Sequence, residues 1–221
     1  MKIELSNEIK TACPDLHVLI IRAQVKNTPY DTELWQEIAR LEQHIRSENK
    51  LEGINKIPTI QATRQAYKKL GKDPNRYRPS AEALHRRIHR GLPLYQINTL
   101  VDLINLISIK TGYSIGGFDA NKIEGDLVLG VGRADELYQG IGRGQLNIEG
   151  LPVYRDKIGG IGTPTSDEER TKIEMNTADL LMLVNAYSGI SGLEDTAAWT
   201  IEVLQKYAAA TQISSTIIAS K

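Results

Sequence analysis

The sequence predicts an α+β fold built on a central mixed or antiparallel sheet with flanking helices. Three observations lead there. After one apolar strand, four segments space their apolar residues at helical intervals. Beyond Gly112 glycine becomes frequent and the apolar runs shorten to strand length. A last helix and strand close the chain, so the βαβ alternation of a parallel sheet is missing. The 221 residues are 41% hydrophobic and 24% charged, a globular composition that folds without staples. No internal repeat or low-complexity linker divides them, and one compact unit over 1–221 is expected.

Leu16 to Val25 is rich in β-branched residues and reads as a buried strand. Asp31 is placed to cap a helix carrying Leu34, Ile38, Leu41 and Ile45, which should fade near Asn49. Pro58 opens a second helix, with Tyr67 and Leu70, that stops at Gly71; Lys72 to Asn75 is loop by composition. Ser80 is the expected cap of a third helix, with Leu84 and Ile88 inward and Gly91 as its stop. The fourth, from Asn98 to Lys110, is apolar on nearly every side and should be the central buried helix. Short strands are expected at Asp126–Gly132, Gln145–Glu149, Val153–Asp156 and Leu180–Tyr187. Ser191-Gly-Leu-Glu194 has the form of a capping box. The helix it introduces should bury Ala198, Ile201, Leu204 and Ala208, and Gln212–Ala219 reads as a closing strand.

No apolar run approaches the ~18 residues of a membrane span, so no membrane partner is expected. The first residues lack an apolar signal core, and a cytoplasmic location follows as the expectation. A single cysteine, Cys13, excludes an internal disulfide and a cysteine-built zinc cluster. The zero net charge conceals a division: residues 1–100 carry +6 and residues 101–221 carry −6. Between Lys56 and Arg90 ten basic residues face only Asp73 and Glu82. Such a stretch reads as a solvated basic face or as a side turned to a polyanion.

The motifs carry less. Gly112-Tyr-Ser114-Ile-Gly116 matches G-x-S-x-G, but a long helix precedes it, and His17, His44, His85 and His89 all lie upstream. A nucleophilic Ser114 is therefore not expected. His85 and His89 sit one turn apart, but Arg86-Arg87 between them would repel a dication, so no metal is assigned. The glycines at 130–132 and 140–144 complete no phosphate-loop pattern and read as hairpin turns. Asp167-Glu168-Glu169-Arg170 reads as a solvated charged turn, and no cofactor is expected.

A resemblance adds to this reading. Ser80-Ala-Glu-Ala-Leu84-His-Arg-Arg87 is followed by Leu94-Tyr-Gln-Ile-Asn98-Thr-Leu-Val101-Asp102-Leu-Ile-Asn105 and by Gly112-Tyr-Ser-Ile-Gly-Gly-Phe118-Asp119. Lys157-Ile-Gly-Gly160 and Thr196-Ala-Ala198 come at matching separations. Residues 80–205 thus resemble the B3/B4 domain of the phenylalanyl-tRNA synthetase beta chain. Residues 1–79, through Asp73-Pro-Asn-Arg-Tyr-Arg-Pro79, resemble the N-terminal strand-and-helix part of freestanding B3/B4 proteins.

In the synthetase this domain edits, hydrolysing the ester of a wrong amino acid, chiefly tyrosine, on the acceptor end of tRNA. The resemblance implies an aminoacyl-tRNA deacylase that binds RNA, with tRNA and not DNA as partner, and not an aminoacylating ligase. Its pocket asparagine matches Asn105, its pocket glycine Gly160, and its threonine and alanine Thr196 and Ala198. Its histidine falls at Gly116, its hydroxyl-reading glutamate near Asn176, and its threonine before the asparagine at Ile104. Without that carboxylate, tyrosine specificity does not follow, and losing the histidine should open space. Arg76, Arg78, Arg86, Arg87 and Arg90 are the expected phosphate contacts. The alternative is a non-catalytic module binding an amino acid, a nucleotide or a protein. The sequence names neither the target amino acid nor the oligomeric state.

Overall fold

The structure, a computed structural model, describes residues 1–48 and 51–221. The chain begins with strand β1 (Ile3–Leu5), helix α1 (Asn7–Ala12) and strand β2 (His17–Gln24). Helices α2 (Thr32–Glu48), α3 (Pro58–Lys69), α4 (Ser80–His89) and α5 (Thr99–Thr111) follow. The glycine-rich half supplies β3 (Ile115–Asp119), β4 (Leu127–Val131), β5 (Gln139–Gly140), β6 (Gly144–Gln145), β7 (Pro152–Arg155), β8 (Gly160–Gly162) and β9 (Asp179–Ala186). Helix α6 (Leu193–Ala208) and strand β10 (Thr211–Ala219) end it.

The expected central sheet is present, and a second four-stranded sheet packs against it. One is antiparallel throughout, in the order β10-β2-β9-β3; the other runs β1-β4-β7-β8, with β1 parallel to β4 and the rest antiparallel. The alternation of side chains along β2 and β9 explains why both strands are apolar on both faces. Leu19, Ile21, Met182 and Val184 pack under helices α2, α4, α5 and α6. Val18, Ile20, Leu181 and Leu183 pack against Leu127, Leu129 and Tyr154 of the second sheet. The antiparallel sheet is therefore the middle of three layers, and the apolar residues of its two inner strands are buried on both faces.

Helix α5 is the central helix, as its composition requires. Asn98 accepts the Val101 amide at 3.0 Å to start it, and Gly112, with φ 73°, ends it. Its buried residues include Leu103, Ile104, Leu106 and Ile107, while Val101 and Asn105, one turn apart, are only half-buried. Asp31 caps α2 through the Leu34 amide at 2.8 Å. The end of α2 expected near Asn49 lies outside the described residues.

Several local expectations are corrected. Ser80 is the first residue of α4 and Pro79 its cap; the Ala81 amide is met from outside by the Ser114 hydroxyl at 3.4 Å. The serine of the G-x-S-x-G match is thus buried against a helix start. The capping box at Ser191 does not form, because Gly192 in the left-handed conformation caps α6 without a side chain. Of the four residues expected inward, α6 buries Leu204 and Ala208, while Ala198 is exposed and Ile201 half-buried, since Thr196, Ala197, Thr200 and Val203 turn inward in their place. Leu84 likewise lies at the flank of α4 and not at its buried face. The strand expected over Gln145–Glu149 shrinks to β6. The carbonyls of Asn147 and Glu149 are taken by the Lys72 ammonium at 3.1 and 2.5 Å instead of by a neighbouring strand. Strands β1, β3 and β8 and helix α1 have no counterpart in the expected elements: they are short, and β3 and β8 are glycine-rich.

Candidate functional site

A cleft of about 800 Å³ opens between helix α4, the extended segment 90–97, the outer flank of α5, the β5–β6 hairpin and residues 165–166. Arg78, Arg86, Arg87, Arg90 and Arg143 line it, and among the described residues no carboxylate does. Leu84, Leu92, Val101 and Ile141 supply apolar wall, and Asn105, Thr165 and Ser166 supply uncharged polar groups.

Helix α4 holds its arginines through one buried acid. Glu82 is fully buried and accepts from Arg64 at 2.7 Å and from Arg86 at 2.8 Å, with Arg78 at 3.9 Å. Arg64 also donates to the Pro74 carbonyl and the Asn75 side chain, which ties down the loop before α4. The basic stretch is therefore partly spent on structure. Arg64 and Lys72 are buried, Arg86 is bound to Glu82, and Arg76 is not part of the cleft wall. Arg90 and Arg143 are exposed and enter no ion pair among the described residues.

The segment after α4 presents an aromatic face. Tyr95 is 60% exposed, and the Arg87 guanidinium lies 3.8 Å from its ring centre while donating to its hydroxyl at 2.9 Å. Arg87 also donates to the Pro93 carbonyl. The segment is anchored from α5: Asp102 accepts the Ile97 amide at 3.0 Å and the Trp35 indole at 2.9 Å. Burial raises the Asp102 carboxyl above its ordinary range, against the pull of these two donors.

Of the residues matched through the resemblance, Asn105 alone lines this cleft. Thr196 points into its own helix, donating to the Gly192 carbonyl at 2.8 Å, and Ala198 faces a groove between α6 and β10. Asn176 is exposed in the turn before β9. A Cβ on Gly160 would sit 2.9 Å from the Tyr138 ring, so this glycine serves close packing. Gly116 opens no space: a Cβ there would sit 2.7 Å from the ring of Phe118, which fills the volume that the missing side chain was expected to free.

Three residues of this region escape the sequence. Tyr95 was a member of a matched block with no role of its own. Arg143 stands between Gly142 and Gly144 at the tip of a hairpin, where both glycines have positive φ, and an arginine raised on such a tip was the available signal. Asp167, from the presumed solvated charge run, folds against the open edge of β3 and accepts the Gly117 amide at 3.1 Å. Burial pushes its carboxyl up to about 7, the one amide opposing it too weakly. His85 is buried beneath α4 with both ring nitrogens unpartnered, and burial, helped by His89, lowers it to about 4. No cluster of three or more His, Cys, Asp or Glu side chains among the described residues is placed to hold a metal.

The family model of the B3/4 domain matches residues 62–200, well over half of the chain. Among solved structures, an N-terminal fragment of the phenylalanyl-tRNA synthetase beta-subunit from Pyrococcus horikoshii is similar at 13% identity and a TM-score of 0.46. That similarity covers 96% of this chain and 50% of the fragment, so the chain spans about half the fragment's length. No curated protein matches the chain. The matched span holds α4, α5 and every wall of the arginine-lined cleft, and the chain belongs to the B3/4 domain family.

Proposed function

We propose that this protein binds the acceptor end of aminoacyl-tRNA in the arginine-lined cleft and hydrolyses the ester of a mischarged amino acid. The observation that carries this reading is the cleft itself: five arginines, no carboxylate and an exposed tyrosine at its rim. Arginines suit phosphates, and an exposed ring suits an unpaired base. The volume of about 800 Å³ is of the size that holds a nucleoside bearing an amino acid.

Among the described residues the cleft wall offers no histidine, cysteine or carboxylate as a general base. Hydrolysis there would rest on orientation and dipoles: Asn105, Thr165 and Ser166 to place the ester carbonyl and a water, and a ribose hydroxyl of the substrate to assist. Deacylation of a panel of correctly and incorrectly charged tRNAs, including tyrosine on the phenylalanine tRNA, tests the reading. Selective hydrolysis of one pair is expected, and hydrolysis of none overturns it.

The absence of a side-chain base from the wall favours one second reading, a non-catalytic binding module. Salt-dependent tRNA binding without turnover, or a thermal shift with free amino acids and no tRNA affinity, would select it.

A further inference from the structure

The arginines of the cleft are held in different ways. Arg90 and Arg143 are exposed and enter no ion pair among the described residues. The Arg87 guanidinium is committed to the Tyr95 ring and hydroxyl and to the Pro93 carbonyl. Arg78 stands 3.9 Å from Glu82 with its side chain 44% exposed. Arg86 is set into the wall: its side chain is 21% exposed, and its Nε donates to the fully buried Glu82 carboxylate at 2.8 Å.

That one bond fixes the guanidinium plane and leaves the opposite edge free. No group among the described residues takes the two terminal nitrogens of Arg86, and neither nitrogen is sealed from solvent. Glu82 does not neutralise the charge either, because its single negative charge is shared with the buried Arg64 at 2.7 Å. The wall therefore presents an oriented, uncompensated fork. Two parallel N–H donors match the two oxygens of a carboxylate, and a guanidinium already held in place loses little freedom on binding one. Leu84, Val101 and Ile141 in the same wall exclude water and strengthen such a pair. The solvated phosphates of an acceptor end suit the exposed Arg90 and Arg143. Arg86 is left for a second anion, and the acyl group is the part of the substrate that can bring it.

We infer, on the proposed function of this cleft, that the amino acid removed carries a side-chain carboxylate, as an aspartyl or glutamyl ester does, and that Arg86 receives it. A neutral isostere brings an amide nitrogen where the fork needs a second acceptor, so that two donors face each other. A lysyl or arginyl side chain meets five cations and, among the described residues, no carboxylate.

Steady-state deacylation of two isosteric pairs is the test: aspartyl against asparaginyl and glutamyl against glutaminyl esters, each pair carried by one and the same tRNA. In at least one pair the acid should be hydrolysed with a kcat/KM about tenfold or more above that of its amide, and Arg86→Gln should bring this ratio close to one. Glu82 keeps Arg64 in that variant, so the helix should stay in place. Equal rates for acid and amide in both pairs, with another ester cleaved selectively, overturn the inference and leave the proposed function standing. Hydrolysis of no ester in the wider panel removes both. A loss in Arg86→Gln that is the same for acid and amide assigns Arg86 to a phosphate and overturns the inference as well. Should Arg86→Gln lose its folded circular dichroism spectrum, Arg86→Lys decides. It keeps a positive charge beside Glu82 but has no fork, and an undiminished ratio there sinks the carboxylate site.

Discussion

Glu82 shows how one residue sets the character of the cleft. Its carboxylate is fully buried and neutralises Arg64 while fixing Arg86. Reversing the charge of Arg86 is therefore not a surface change, since it would press a second carboxylate against a buried one. Glu82→Gln should destabilise the protein by about 3 kcal/mol or more in urea unfolding, because Arg64 is left buried without a counter-charge. Asn105 and Thr196 separate the same way. Asn105→Ala should lower deacylation at least tenfold with little change in melting temperature, whereas Thr196→Val should touch stability alone, since its hydroxyl serves its own helix. A melting temperature that falls as far for Asn105→Ala would return that residue to a packing role. Two groups set the pH response, the half-buried Asp167 and the buried His85. Asp167 holds its proton more tightly folded than unfolded, so its contribution is complete below about 4 and is lost as pH rises through about 7. His85 has its pKa lowered to about 4, so its contribution is present above ~6.5 and is lost as pH falls toward about 4. The opposed slopes cover one window. Asp167→Asn should expose the histidine arm, and melts between pH 7 and pH 5 should then show a steeper loss of stability on acidification than the wild type shows.

At the scale of elements, β3 and α4 are the pieces whose sequence and structure diverge most usefully. Strand β3 pairs with β9 on one side and is stopped on the other by Asp167, with Phe118 folded back over Gly116. Gly116→Ala must displace that ring and should cost about 1–3 kcal/mol. Gly116→His, the residue type that the resemblance implies for this position, should cost more in the same thermal melts and should not create activity. Helix α4 was legible as a basic amphipathic helix, but which of its arginines are free was not. That depends on Glu82, whose partner Arg64 comes from α3, eighteen residues earlier in the chain. Helix α6 teaches the same point. Its period was readable, but the sheet beneath it turned Ala198 outward, because β2 and β9 present their own apolar rows to Ala197, Val203 and Leu204.

For the whole molecule, the division of charge between the two halves becomes spatial only in part. The cleft draws Arg78, Arg86, Arg87 and Arg90 from the basic half but Arg143 from the acidic one. Replacing both free arginines, Arg90→Gln with Arg143→Gln, should weaken tRNA binding and flatten the dependence of log affinity on log salt by about 1.4, the share of two phosphate contacts to a single strand. An unchanged slope would place the RNA elsewhere. The sheets also bind the ends of the chain together: β2 lies between β10 and β9, and β1 pairs with β4. Chemical unfolding should accordingly show one transition by fluorescence and circular dichroism alike, and two separated transitions would mark separable units.

The local rules were sufficient wherever structure is held by near neighbours. The α+β class, the central helix with Asn98 and Gly112 at its ends, the cap at Asp31 and the apolar strands β2 and β9 all follow from periodicity and turn chemistry within a few residues. What the tertiary structure decided involves partners far apart in sequence. The Ser114 hydroxyl meets α4, Lys72 removes a strand by taking its carbonyls, Phe118 occupies the space beside Gly116, and Arg143 arrives at the cleft from a distant hairpin. Periodicity tells which face of an element is apolar. Only the packing of the elements tells which charges are spent inside and which remain free for a ligand.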